Sequence, residues 1–173
     1  RPAPHRRAPE RRGGLRRVDV NDYLLPMDGL DWGAVLAPWG SLLPDEFTLW
    51  FANCYGEPFV VLEDGSVHRL DMEGGAFERL ADNQDAFQDA LDDRENVADW
   101  LMVPLVDDVR RAGLEVTPGQ CYGFSTPTVV GGEYDLANTR VKTLTEYAAF
   151  LAGVHDKIRD LPDGAEIELS IGD

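Results

Sequence analysis

Residues 57–80 read EPFVVLEDGSVHRLDMEGGAFERL, and the fold class turns on them. Residues 58–62 and 67–70 are rich in β-branched and apolar side chains, and Glu63-Asp64-Gly65-Ser66 separates them. Asp-Gly is the dipeptide that adopts the positive φ angles a tight hairpin turn requires, so the segment predicts two antiparallel strands. Gly74-Gly75 then breaks the pattern, and residues 76–80 predict a third strand antiparallel to the second.

Further along, residues 116–134, VTPGQCYGFSTPTVVGGEY, hold four glycines, two prolines, three aromatic rings and a cysteine. Neither a helix nor a strand interior tolerates that density of special backbone positions, so the rest of the chain is expected to pack around this stretch. Short strands are expected at 120–124 and around 128–130, and another at 140–144. A helix over 145–160 would bury Tyr147, Phe150, Leu151, Val154 and Ile158. A turn at 161–164 leads to a last strand, 165–171, in which Ile167, Leu169 and Ile171 alternate with polar residues.

On the N-terminal side, Asp31 is placed to cap a short helix through Trp32, Val35 and Leu36 that ends before Pro38. Pro44-Asp45-Glu46 reads as a second helix start, with Phe47, Leu49, Trp50 and Phe51 as its buried face, although that run also suits a strand. Asn83 or Asp82 caps a helix carrying Phe87 and Leu91, and residues 92–99 read as an acidic connection. Residues 100–112, WLMVPLVDDVRRA, are spaced for a helix stopped by Gly113, provided that it starts near Pro104 or is kinked there. Hairpins followed by helices, without a βαβ rhythm, predict an α+β fold. It is a single domain over 18–173, with an antiparallel or mixed sheet and helices packed against it.

The 173 residues suit one core, and no apolar run approaches the roughly 20 residues that cross a bilayer. Residues 1–17 hold seven arginines against one acid, a charge of +6; the whole chain carries −16, so residues 18–173 carry −22. That first segment has almost no apolar side chains and is expected to be a disordered basic tail. The anionic body disfavours nucleic acid and membrane surfaces as partners, and by steering it favours a basic protein. Cys54 and Cys121, in a chain too large to depend on disulfides, read as buried thiols of a cytoplasmic protein. Each opens a Cys-Tyr-Gly tripeptide, a match short enough to be coincidence.

No catalytic pattern emerges. Phosphate loops of the form G-x-x-x-x-G-K-[ST] or G-x-G-x-x-G are absent, and Glu133 after Gly131-Gly132 would oppose a phosphate. His5, His68 and His155 are scattered, as are the cysteines, so no zinc spacing exists. Asp89, Asp92, Asp93 and Glu95 lack the spacing of a calcium loop and read as a solvated face. No nucleophile elbow accompanies Cys54, Cys121 or the histidines. The expectation is a non-enzymatic protein without cofactor or metal.

Trp100 to Tyr134, followed by the helix containing YAAFL, resembles the bacterial family that forms the C-terminal domain of type VI secretion immunity proteins, which protect a cell against a DNase toxin. The resemblance runs from about Asp19 to Asp173, strongest in PDEFTLW (44–50), LEDGSVHRLD (62–71), GQCYGF (119–124) and GGEY (131–134). It implies an α+β domain that binds and neutralises a toxin. The best-known members carry a further N-terminal domain, related to those called GAD-like, whereas this chain has one domain's length. A DNase holds a phosphate backbone and so has a basic cleft, which an anionic inhibitor complements. On that reading the expected contacts are Asp89, Asp92, Asp93, Glu95, Asp107 and Asp108, with exposed aromatics as anchors. The competing reading is a small-molecule or scaffold module with a pocket beneath Gly131-Gly132.

Overall fold

The structure is a computed structural model that describes residues 18–162 and Ala165. The expected tail over 1–17 and last strand over 165–171 lie outside those residues or, for Ala165 alone, at their margin.

Four strands form an antiparallel meander in sequence order: β1 (Thr48–Ala52), β2 (Pro58–Val61), β3 (Val67–Asp71) and β4 (Ala76–Ala81). The β2–β3 hairpin closes through Leu62 and Ser66, with Gly65 N–H bonded to the Leu62 carbonyl at 2.9 Å. Among the non-glycine residues of this loop none takes a positive φ; Gly65 does so alone, at 83°. The connection is thus a three-residue loop ending in a left-handed glycine. A separate antiparallel pair joins β5 (Gln120–Phe124) to β6 (Thr139–Thr143).

Helices cover the meander on both sides. α2 (Gln84–Ala90) and α3 (Arg94–Leu101) bring Phe87, Val97, Trp100 and Leu101 against Phe51, Phe59 and Val67. α1 (Trp32–Leu36) and α5 (Leu144–Ile158) bring Val35, Leu36, Leu144, Tyr147 and Leu151 against Leu70 and Met72. A third cluster joins β5, through Tyr122 and Phe124, to Val106 and Val109 of α4 (Val103–Arg111) and to Cys54 and Tyr55. The fold class is the expected one: α+β, with an antiparallel sheet and helices packed against it.

Local chemistry accounts for the helix ends. Asp31 accepts from Ala34 N–H at 3.1 Å, Asn83 from Ala86 N–H at 2.8 Å and Asp93 from Glu95 N–H at 2.8 Å, each satisfying an orphan donor of the first turn. At the end of α4, Gly113 has φ 86°, and the Gly113 and Leu114 N–H groups return to the Arg110 and Val109 carbonyls. That is a Schellman ending, which needs a residue free to take the left-handed region.

Five expectations are corrected. The run after Pro44 is strand β1, not a helix. The register shifts between Leu49 and Phe51, a bulge that breaks strand alternation, so Trp50 and Phe51 both reach Phe87 and the run imitates a helical face. The acidic connection over 92–99 is largely helical, because Val97, Trp100 and Leu101 sit at helical spacing and Asp93 caps them. The helix expected over 100–112 is two helices, broken at Met102, whose φ is 53°, so that Pro104 falls in the first turn of α4. Thr128–Val130 is a turn of 3-10 helix, not a strand. Phe150 is exposed, whereas Tyr147, Leu151 and Val154 are buried. Of the stretch 116–134, β5 is core, while most residues from Ser125 to Tyr134 lie at the surface.

Candidate functional site

Strand pairing sets the site. Phe59 pairs with Arg69 and Val61 with Val67, so Arg69 continues the face that carries Phe59 and Val67, and Asp71 lies two residues further along it. Where α3 ends, this face changes from apolar to charged. Arg69, 5% exposed, gives Nη2 to Glu78 at 2.7 Å and Nη1 to the Asp99 carbonyl at 3.2 Å, and lies 3.7 Å from Glu57. Asn53 holds Glu57 from the other side. Its amide donates to Glu57 Oε2 at 2.9 Å and to the Trp100 carbonyl at 3.0 Å, while its carbonyl oxygen receives the Tyr55 and Glu57 N–H groups.

These groups border a cleft of about 310 Å³ lined by Glu57, Arg69, Asp71, Ala98, Asp99, Met102, Pro104, Leu105 and Tyr134. The left-handed Met102 turns the chain between α3 and α4, placing Asp99 and Leu105 on the same cleft. Burial pushes Glu57 up to about 8, against the pull of Arg69, and the neighbouring Asp71 carboxylate adds to the rise. Burial thus favours the protonated form of Glu57.

The six acids expected to contact a partner are not one cluster. Asp89, Asp92, Asp93 and Glu95 gather where α2 runs into α3, all exposed; Asp107 and Asp108 lie on α4. Three have local roles: Asp93 caps α3, Asp107 accepts from the Tyr23 hydroxyl at 2.8 Å, and Asp108 pairs with Arg111 at 2.6 Å. Beside the α2–α3 group runs a largely apolar groove of about 570 Å³ lined by Val18, Val20, Leu91, Val97 and Val103, with Asp92 and Arg94 among its polar members. Gly131 and Gly132 do not line the cleft, although Tyr134 does. A Cβ on Gly132 would run into the Thr126 carbonyl, so this glycine allows two backbones to approach.

Several groups that suggest chemistry in the sequence are structurally engaged. Cys54 and Cys121 are buried, and desolvation pushes their thiols up to about 11 and about 12, away from the reactive thiolate. Ser66 Oγ lies 2.9 Å from His68 Nε2, but the single hydroxyl proton goes to Asp64, so His68 donates to the serine and cannot deprotonate it. His155 Nε2 bonds the Met72 carbonyl at 2.9 Å and its ring meets Trp39 edge-on. Among the described residues no three His, Cys, Asp or Glu side chains converge as a metal site, and no helix is long and apolar enough to cross a membrane.

Sequence reasoning found the exposed acids and missed the cleft. Its residues lie on β3, on the turn before β2, in α3 and α4 and the turn between them, and in the loop holding Tyr134, so no spacing joins them. The available signal was a lone arginine, Arg69, in a strand otherwise expected to be buried, since a charge there needs partners.

Fold and site together define an acidic α+β domain with a carboxylate-lined cleft. Residues 81–155 match the family model described as T6SS immunity protein Tdi1, C-terminal. This bears out the resemblance read from the sequence, over a span that starts at the end of β4 and reaches into α5. Asp99, Met102, Leu105 and Tyr134 fall inside the matched span; Glu57, Arg69 and Asp71 precede it. A comparison with curated proteins finds no match.

Proposed function

We propose that this chain is an immunity protein that works in the cytoplasm by binding and masking a cognate toxin of the type VI secretion system. The toxin is a basic protein, a DNase in the leading form of this reading. The immunity role rests on the family match over residues 81–155. The choice of a basic partner rests on the excess of acids, which gives the chain a net charge of −16. A surface of that sign raises the encounter rate with a cationic partner by about 10- to 1,000-fold at low salt and repels nucleic acid. Asp89, Asp92, Asp93, Glu95, Asp107 and Asp108 supply this field, and burying an exposed aromatic such as Tyr134, 57% exposed, adds apolar contact. The chain acts by occupying a surface and turns over no substrate. Co-expression with the toxin encoded beside its gene tests this: growth should be restored and the pair should co-purify, whereas continued killing with no complex would refute it.

The cleft favours a second reading, a module for a small ligand. Its volume of about 310 Å³ lies at the low end of sites that hold small molecules. A metabolite retained through purification and displaced by changes at Asp71 would favour that alternative.

A further inference from the structure

The cleft offers charge to a specific kind of occupant. Glu57 is 5% exposed; its Oε2 receives the Asn53 amide, and its carboxyl is hydrogen-bonded to that of Asp71. Asp71 lies beside it on the same cleft, and its Oδ1 takes the Gly74 N–H at 2.7 Å. Asp99, whose side chain is 68% exposed, stands at the rim. Among the described residues the one cation lining this cleft is Arg69, already bound to Glu78 and the Asp99 carbonyl. Two neighbouring carboxyl groups therefore open into a cavity whose other wall is Met102 and Leu105.

We infer that this cleft receives one lysine or arginine side chain of the toxin, its charged end between Glu57 and Asp71 and its aliphatic stem along Met102 and Leu105. The inference rests on the immunity reading and places an anchor where the acids of α2, α3 and α4 provide only long-range attraction. A buried pair of charge-assisted hydrogen bonds inside an apolar wall is the arrangement that makes an interface hot spot. The occupant's N–H groups would displace the proton Glu57 holds. Around that proton stand Asp71, which favours a cation, Arg69, which opposes one but is neutralised in part by Glu78 and Asp99, and the Tyr134 phenol. Binding thus releases a proton, and affinity rises from about pH 6 to about pH 9, as Glu57 passes its value of about 8.

The test uses the chain itself and N-acetyl-arginine methylamide as the probe, followed by backbone amide NMR, with N-acetyl-norleucine methylamide as the uncharged control. The arginine probe should shift resonances of Asp71, Asp99, Met102, Leu105 and Tyr134, bind more tightly as pH rises, and lose about tenfold in affinity in Asp71→Asn. That variant keeps the oxygen that accepts from Gly74, so its fold is preserved. No shifts, equal shifts from the norleucine control, or shifts confined to residues 89–95 would overturn the inference. So would spermidine binding the cleft where the arginine probe does not, which would assign it to a free polyamine. Toxin capture separates the two claims: capture unchanged by Asp71→Asn with a silent cleft removes this inference and leaves the immunity reading standing. A cleft that binds the probe in a chain that captures no toxin overturns the assignment of the occupant to a toxin.

Discussion

Arg69 and Glu78 sit directly opposite each other on β3 and β4, and Arg69 Nη2 approaches Glu78 Oε2 to 2.7 Å. The Arg69 side chain is 7% exposed and that of Glu78 40%, so the pair anchors a buried charge to the border of solvent. Removing the arginine strands Glu78 and the Asp99 carbonyl without a donor and empties the cleft floor. Arg69→Met should cost about 3 kcal/mol in urea unfolding, in the range for breaking a buried ion pair. Glu78→Gln should cost under about 1 kcal/mol, because that partner is half solvated.

Stability should fall as pH rises through neutrality, owing to Glu57. The folded chain holds its proton up to about pH 8, whereas an unconstrained carboxyl loses it near 4.5. Between those values the folded state binds more protons than the unfolded state, so deprotonation opposes folding. Thermal unfolding of the wild type and Glu57→Gln across that window should show the wild type losing stability relative to the variant. Parallel curves would mean that Glu57 is already ionised.

Gly131 and Gly132 should respond differently to alanine. Gly131, with φ 96° and open space around its Cβ position, incurs only backbone strain, about 1–2 kcal/mol. Gly132→Ala drives a methyl into the Thr126 carbonyl, and the loop 126–138 that Asn138 ties together must shift. The larger loss, with altered amide shifts across that loop, belongs to Gly132→Ala. Equal losses would contradict the close-approach account.

Tyr147 links α5 to two other elements: its hydroxyl donates to Glu73 and accepts from Phe124 N–H at 2.8 Å. Tyr147→Phe leaves Glu73 with only its Thr128 bonds and Phe124 N–H with no acceptor, at a cost of about 2 kcal/mol. Chemical denaturation measures it, and a neutral substitution would show that these groups find other partners.

How far the sequence was legible depended on whether local or tertiary effects placed each residue. Asp64-Gly65, Asn83 and Asp31 act within a few positions of themselves, so the hairpin and the caps of α2 and α1 could be read directly. Strand β5 was legible because Cys121, Tyr122 and Phe124 suit a buried strand. β1 read as a helix or a strand because a bulge turns Trp50 and Phe51 to one side, a consequence of pairing with β2. α3 hid in an acidic run although Val97, Trp100 and Leu101 carry helical spacing, since five charged side chains from Asp92 to Asp99 obscured it. The exposed acids were visible because charge needs no fold to be counted. The cleft was not, since Glu57, Arg69, Asp71, Asp99 and Tyr134 meet only through the meander and the turn at Met102.

The most direct test of recognition by charge is the association rate of this chain with the toxin encoded beside its gene, followed as ionic strength is raised. The account predicts a rate that falls by about tenfold or more between low salt and about 0.5 M. It falls again when Asp92, Glu95 and Asp108 are reversed to lysine, with thermal stability nearly unchanged. A rate indifferent to both salt and charge reversal, or no complex at any ionic strength, would contradict it.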